Sequence, residues 1–238
     1  MRKRKKRILL FDKARLERLL ILANAEFKLR YYGNTLGLLW ALIGPLSQVA
    51  IFYIVFQVIM NQKIENFALF VFAGLIFWNV FAETTSRGMG LLVRQRQLYE
   101  NTDMDKLEVF IATHLSASIG FGFNLAIFLV IALSVGVFPN FYSLLVIPIY
   151  LNVMILTFGT TLILSSLYLF FQDMLQIWNI VIRIGFFMSP ILFRGQLVQK
   201  KLPALMYLNP LSGIINNGRS VLMYGEQPDW MMMLFGFI

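Results

Sequence analysis

The chain has 238 residues, of which 58% are hydrophobic and 14% charged, with a net charge of +9 and a mean hydropathy of +0.70. A soluble domain carries about 25% charged residues. This composition therefore excludes an ordinary soluble domain and indicates an all-α integral membrane protein, one transmembrane domain over residues 1–238. Cysteine is absent, which excludes disulfides and cysteine–metal sites.

Residues 2–7, RKRKKR, form a basic run. Basic segments are retained on the cytoplasmic side of a membrane, so the run reads as an inside anchor. No clean apolar core and small-residue cleavage site follow it, so it does not read as a cleavable signal. Residues 8–32 predict a cytoplasmic amphipathic interface helix. Leu16, Leu19, Leu20, Ala23 and Phe27 share one face, and Lys13, Glu17, Asn24 and Lys28 another. Eight charges between Phe11 and Arg30 keep it from spanning, and it fits a helix lying on the membrane surface.

Five crossings are expected over 33–193. The first occupies Leu29–Met60, because no charged residue occurs in the 32 positions between Arg30 and Lys63, well over the roughly 20 a spanning helix needs. Gly33, Gly37, Ala41 and Gly44 recur at helical spacing and predict a bare face open to close helix approach. The second crossing is expected over Phe67–Thr84. A polar interruption at 87–108, with Arg87, Arg94, Arg96 and Lys106, reads as a cytoplasmic loop. The 64 uncharged residues between Glu108 and Asp173 accommodate two crossings, about Val109–Val135 and Leu144–Phe170, turned by GVFPNFYS. The fifth is expected over Met174–Phe193 with Arg183 in its midst. An arginine there costs about 2.5–3.5 kcal/mol on insertion scales, so Arg183 either pairs within the protein or faces an anionic or hydroxyl-rich substrate. His114, the sole histidine, reads as a packing residue before a catalytic one.

Residues 194–229 are too apolar for a solvated linker and too short to span twice. They predict two half-helices that dip back from the outer face, a geometry tolerated where protein or a cavity covers it. Residues 230–238 start a sixth crossing. Eight residues beyond Trp230 give roughly 12 Å of helix, so that crossing is incomplete. On this topology 15 of the 21 Lys and Arg lie inside and five outside, which places the N-terminus in the cytoplasm.

No phosphate-binding GxxxxGK[ST] loop, HExxH or Cys/His metal set occurs. Asp103 and Asp105 form a DxD, a weak metal-site signal in a loop that reads more simply as solvated. Without a catalytic constellation the function is expected to reside in a path or an interaction surface, and an aromatic-lined membrane path suits sugars.

Four stretches together carry a family likeness: LRYYGNTLGLLWALIGP at 29–45, AGLIFWNVF at 73–81, FQDMLQIWNIVIRIGFFMSPILF at 171–193 and LPALMYLNPLSGIINNGRSVLMYG at 202–225. In order and spacing they resemble the permease subunit of ABC exporters for cell-surface polysaccharides, namely O-antigen, capsule and wall teichoic acid. The resemblance implies six crossings per subunit, a homodimer, two separate nucleotide-binding ATPase subunits, and a lipid-linked glycan of the undecaprenyl-diphosphate type as cargo. It implies no cofactor in this chain, with ATP and Mg bound by the partner, and a bacterial inner (plasma) membrane location. It places Lys28, Arg30 and Tyr31 at the entrance for the lipid pyrophosphate. Trp40, Phe52, Phe56, Trp178, Phe186 and Phe187 would line the glycan channel, and Arg183, on the reading of its own position above, is a further candidate there. Residues 94–107 would couple to the ATPase through Arg94, Arg96, Tyr99, Glu100 and Asp103. Pro190, Asn209, Pro210 and Arg219 match the family's outer-end motif, where a structural role is expected. Two departures stand out: Tyr99-Glu100 replaces the family's usual Phe-Pro pair, and Arg183 is not part of the family pattern. A drug or small-lipid exporter of the same fold is the alternative within transport. A membrane enzyme acting on lipid-linked sugars is the alternative outside it.

Overall fold

The computed structural model describes residues 13–31, 36–37, 39–102, 104–195 and 209–235, and all regular structure among them is helical. Helix α1 (Lys13–Tyr31) precedes α2 (Leu39–Phe52), which continues as a π-helical stretch over Tyr53–Ile59. Asn61 and Asn66, both in the left-handed conformation that asparagine tolerates, bracket the short connection to α3 (Phe67–Met89). Two short helices, α4 (Leu91–Arg94) and α5 (Arg96–Asn101), lead to α6 (Lys106–Ser134). A 3-10 turn at Phe141–Leu145 opens α7 (Val146–Phe170), and α8 (Met174–Met188) follows. Helix α9 (Pro210–Arg219) runs on as a π-helical stretch over Ser220–Tyr224, and α10 spans Trp230–Phe235.

Among the described residues four segments are long and apolar enough to cross a bilayer: Leu39–Ile59, Phe67–Met89, Lys106–Ser134 and Phe141–Phe170. Each falls within a charge-poor stretch of the sequence, but the boundaries shift. The first crossing begins at Leu39 because α1 retains Leu29 and Arg30 and a turn intervenes. Gly37 lies in that turn at φ +49, a conformation open to glycine, so it is not part of a bare helical face. Gly33 lies outside the described residues. The second crossing runs five residues past Thr84 to Met89. Helix α8 has 15 residues, about 22 Å, and stops before Phe193. Pro190 forces Ser189 into extended backbone, with ψ 147. Of the two expected half-helices, α9 occupies the second, and the segment 202–208 of the first lies outside the described residues.

Helix α3 is the axis of the bundle. Of its most apolar window 72% is buried, against 6% for α2, and it contacts α2, α6, α7, α8 and α9. Its buried Phe67, Phe70, Phe72 and Phe77 fill the core, and small residues bring the backbones together. A methyl group on Gly88 would lie 2.1 Å from Thr161 of α7, and one on Gly218 of α9 would lie 2.1 Å from the Phe77 ring.

One end of this axis is tied by Arg219, which is 2% exposed. Its Nε donates to the Phe70 carbonyl at 3.0 Å and its Nη2 to the Ile191 carbonyl at 2.6 Å, while Nη1 donates to the Pro190 carbonyl. The guanidinium also lies 3.6 Å from the Phe70 ring centre. The break after α8 exposes the carbonyls of Pro190 and Ile191, and the planar fork of an arginine meets them together. Beside it Asn209 caps α9, accepting from the Leu211 N–H at 3.1 Å and donating to Ser189 Oγ at 2.9 Å, with Pro210 at the first helical position. The structural role expected for Pro190, Asn209, Pro210 and Arg219 is thus seen in their contacts. Arg219→Met is expected to orphan three buried carbonyls, cost about 3 kcal/mol or more, and lower Tm in detergent by roughly 6–12 °C. Arg219→Lys should recover little, because one ammonium cannot span the three acceptors.

Candidate functional site

Two features stand out from the residues upward: a polar cleft between α2, α3 and α6, and an aromatic seam where α8 and the end of α2 meet α3. The cleft has a volume of about 500 Å³. Helix α3 contributes Asn79, Glu83 and Arg87 to it, α2 contributes Trp40, Gly44 and Gln48, and α6 contributes Gly120 and Asn124. The extension of α3 to Met89 places Asn79, Glu83 and Arg87 at four-residue spacing on one helical face. Their spacing was the signal for this face, but reading Glu83 as the end of a crossing concealed it. Gly44 does not form a seam with another described helix: a methyl group there would meet nothing within 4 Å among the described residues. The absent side chain at this position widens the cleft.

The seam holds four of the seven expected channel residues. Phe52 stacks on Phe186 at 5.5 Å, and Phe56 lies 6.4 Å from Phe52 and 6.2 Å from Phe67. Phe186 meets Trp78 edge-on at 5.7 Å. Trp178 donates from Nε1 to Thr85 Oγ1 at 3.1 Å and lies 6.1 Å from Phe81. These rings are half-buried, joining α2 and α8 to α3. The other three face outward: Phe187 is 64% and Trp40 47% exposed, and Arg183 is exposed, with no hydrogen bond or ion pair to another described residue. The outward face of α8 carries Gln176 and Asn179 with Arg183, at three- and four-residue spacing and all exposed.

Near the N-terminus of α6 a polar clamp holds α1. Arg15 donates to Asp105 Oδ2 at 3.0 Å and pairs with Glu108 Oε1 at 2.6 Å. Eleven residues along, Glu26 accepts from Gln95 Nε2 at 2.5 Å and from Thr113 Oγ1 at 3.1 Å. The face that α1 presents to α6 therefore includes Arg15, Ala23, Glu26 and Phe27. Leu16 and Leu20, expected on the same face as Ala23 and Phe27, are 57% and 53% exposed. The amphipathic pattern left Arg15 and Glu26 off this face because it scored ionised residues as solvent-seeking. The legible signal was Glu108, an acid at the threshold of a 64-residue uncharged run. Asp105 of the DxD is engaged by Arg15, and Asp103 lies outside the described residues.

The expected coupling residues are held by local bonds. Arg94 Nη2 donates to the Arg87 carbonyl at 2.6 Å, and Tyr99 Oη donates to the Leu92 carbonyl at 2.9 Å. Arg96 pairs with Glu100 at 2.7 Å, a contact whose hydrogen bond and charge raise the guanidinium pKa above its ordinary value. Lys106 lies 5.3 Å from the Tyr99 ring centre. Helix α5, within the segment expected to couple, is six residues long, rather than continuous over 94–107. Of the expected pyrophosphate entrance, Lys28 is exposed, whereas the side chains of Arg30 and Tyr31 lie outside the described atoms. Among the described residues no group of three His, Asp or Glu converges as a metal would require. His114 is buried and bonds the Phe110 carbonyl through Nδ1 at 2.8 Å, packing edge-on to Phe158.

A helical membrane protein with a polar cleft within its spans and polar residues on an exposed helix face has the make-up of a transport subunit. The family model for ABC-2 type transporters matches residues 17–223, and the chain belongs to this membrane-protein family. It is 27% identical over 208 residues to an O-antigen export system permease protein of Klebsiella pneumoniae, covering 87% of this chain and 80% of that one. It is 25% identical over 213 residues to the permease of the same name in Myxococcus xanthus, covering 89% and 82%. A polysialic acid transport protein of Escherichia coli is 23% identical over 206 residues, covering 84% and 79%.

The clamp yields a prediction. Arg15→Ala leaves the buried Glu108 carboxylate without its cation, so α1 should open about tenfold more often, a cost of about 1.4 kcal/mol. Hydrogen exchange over residues 15–28 should report this opening while exchange in α3 stays unchanged.

Proposed function

We propose that the chain is the membrane subunit of an ATP-driven exporter that moves a lipid-linked cell-surface polysaccharide out of the cytoplasm. The observation that carries this reading is the set of relatives, aligned over 84–89% of the chain and named for O-antigen or polysialic acid transport. The protein works as a homodimer with two ATPase subunits, which bind ATP and Mg, and it sits in a bacterial inner membrane with its N-terminus in the cytoplasm. Six crossings per subunit are completed by α8 and by the segment that α10 begins. Helix α9 caps the outer end. Lys28, Arg30 and Tyr31 receive the lipid diphosphate, where charge complementarity favours them. Residues Arg94, Arg96, Tyr99, Glu100 and Asp103 face the ATPase.

The exposed faces of α2 and α8 support a path between two copies. A lone polar residue on lipid is costly, so Gln176, Asn179 and Arg183 on one face of α8 are accounted for if that face meets water and glycan. Phe187 joins this wall, and Phe52, Phe56, Trp178 and Phe186 shape it from behind. ATP binding in the partners drives the glycan outward by favouring one arrangement of the two halves over the other.

Deleting the gene should remove the glycan from the cell surface and leave lipid-linked polymer inside the cell. Unchanged surface glycan would overturn the exporter reading. Tagged protein purified in mild detergent should carry a nucleotide-binding subunit at a 1:1 ratio. Arg183→Ala and Phe187→Ala, both at exposed positions, should lower export about tenfold, or about 1.4 kcal/mol in the transport barrier, without loss of the ATPase partner. Unchanged export would place these residues against lipid.

A further inference from the structure

We propose that the cleft between α2, α3 and α6 is a sugar-binding site, which takes the first hydroxyl-rich sugar of the lipid-linked chain while the diphosphate rests at the entrance. This rests on the exporter reading and extends it to a site outside the path between the two copies. The cleft volume of about 500 Å³ lies within the range of roughly 300–1,000 Å³ typical of small-molecule sites. Its lining joins one aromatic face to several hydrogen-bonding groups: Trp40 at the mouth, the amides of Gln48, Asn79 and Asn124, the Glu83 carboxylate and the Arg87 guanidinium. A sugar ring offers C–H faces to an indole and hydroxyls to amides and carboxylates. An acyl chain would use none of these polar groups.

Two observations on the walls point to an occupant. Asn124 Nδ2 donates to the Gly120 carbonyl at 2.9 Å, while its Oδ1 is buried without a hydrogen-bond partner. A buried acceptor is normally satisfied, and a sugar hydroxyl supplies the missing donor. Small residues on two walls, Ala41 and Gly44 on α2 with Ala117 and Gly120 on α6, hold the space open. Among the described residues nothing lies within 4 Å of a methyl group built on Gly44, so no described side chain closes the room at that point. Trp40 stands nine residues after the end of α1 at Tyr31, which keeps the cleft mouth close in sequence to the expected diphosphate entrance.

These 238 residues contain no cysteine, so Asn79→Cys introduces the only thiol among them. The full complex with its ATPase partner is reconstituted in nanodiscs with the lipid-linked glycan fraction extracted from the producing cells. A parallel sample contains only the lipid diphosphate left when mild acid has released the glycan and the glycan has been washed away. Reaction with a charged methanethiosulfonate is followed on the permease chain by mass spectrometry. The intact fraction should slow labelling about fivefold at four times its Kd, and the acid-treated fraction should not. Gly44→Leu in the same background should abolish protection by filling the cleft. Val80→Cys, also on the cleft wall, repeats the measurement should Asn79→Cys assemble poorly. Equal protection by both fractions would overturn the sugar site in favour of a diphosphate or acyl site. Absence of protection in a complex whose cells still export glycan would overturn it while leaving the exporter reading intact.

Discussion

Arg219 joins three parts of the chain that lie far apart in sequence. Its guanidinium takes the carbonyls of Phe70, Pro190 and Ile191, so the start of α3, the break after α8 and the end of α9 share one buried cation. A buried charge without partners is strongly unfavourable, and the carbonyls freed by the Ser189–Pro190 break would be so as well. Each solves the other's problem. The consequence reaches along the bundle, because with its C-terminal end anchored at Pro190, α8 lies against α3. Phe186 then meets both Phe52 and Trp78, and Trp178 reaches Thr85.

The opposite end of α3 is held by different chemistry. There α1 is fixed to α6 by ionised and amide groups, Arg15 to Asp105 and Glu108 and Glu26 to Gln95 and Thr113. Gln95 lies between α4 and α5 and Asp105 directly precedes α6, so the clamp also pins the loop expected to meet the ATPase. A displacement of α5 is therefore passed to α1 through short polar bonds rather than through loose apolar contact. Leu16 and Leu20 remain exposed on α1, consistent with a helix that has one side on protein and another at a membrane surface.

The spans were legible in the sequence because charge is excluded from hydrocarbon, and the gaps between charged residues marked all four long segments. Boundaries were less legible, since a helix ignores the membrane edge where protein covers it. Helix α3 carries Glu83 and Arg87 on its last turns because they face a cleft instead of lipid. The aromatic residues singled out along α2 and α8 do come together, but as a seam within one chain for Phe52, Phe56, Trp178 and Phe186. Helical period tells which residues share a face and not which neighbour that face meets. Glycine spacing misled for the same reason: Gly37 serves a turn and Gly44 an opening. The clamp was missed because Arg15 and Glu26 have their partners some 70 to 90 positions away, and pairing at that distance has no local signature.

The distribution of burial indicates which elements the fold leaves least constrained. Helix α3 is covered on nearly every side, whereas α2 has 6% of its apolar window buried and α8 has no fully buried residue. Elements with few buried contacts open and shift at low free-energy cost. Pro45 removes a backbone donor within α2, and the π-helical stretch at Tyr53–Ile59 departs from regular hydrogen bonding, both being features of helices that bend. The clamped ends and the axis α3 thus form a frame, and α2 and α8 lie against it through an aromatic seam with little directional bonding beyond Trp178 to Thr85. A transport subunit has to change the separation of its path-lining helices without unfolding. If α2 and α8 line the proposed path, the fold meets that requirement by placing its strong polar bonds at Arg219 and at the α1 clamp, and leaving apolar contact, which tolerates sliding, between α2, α8 and α3.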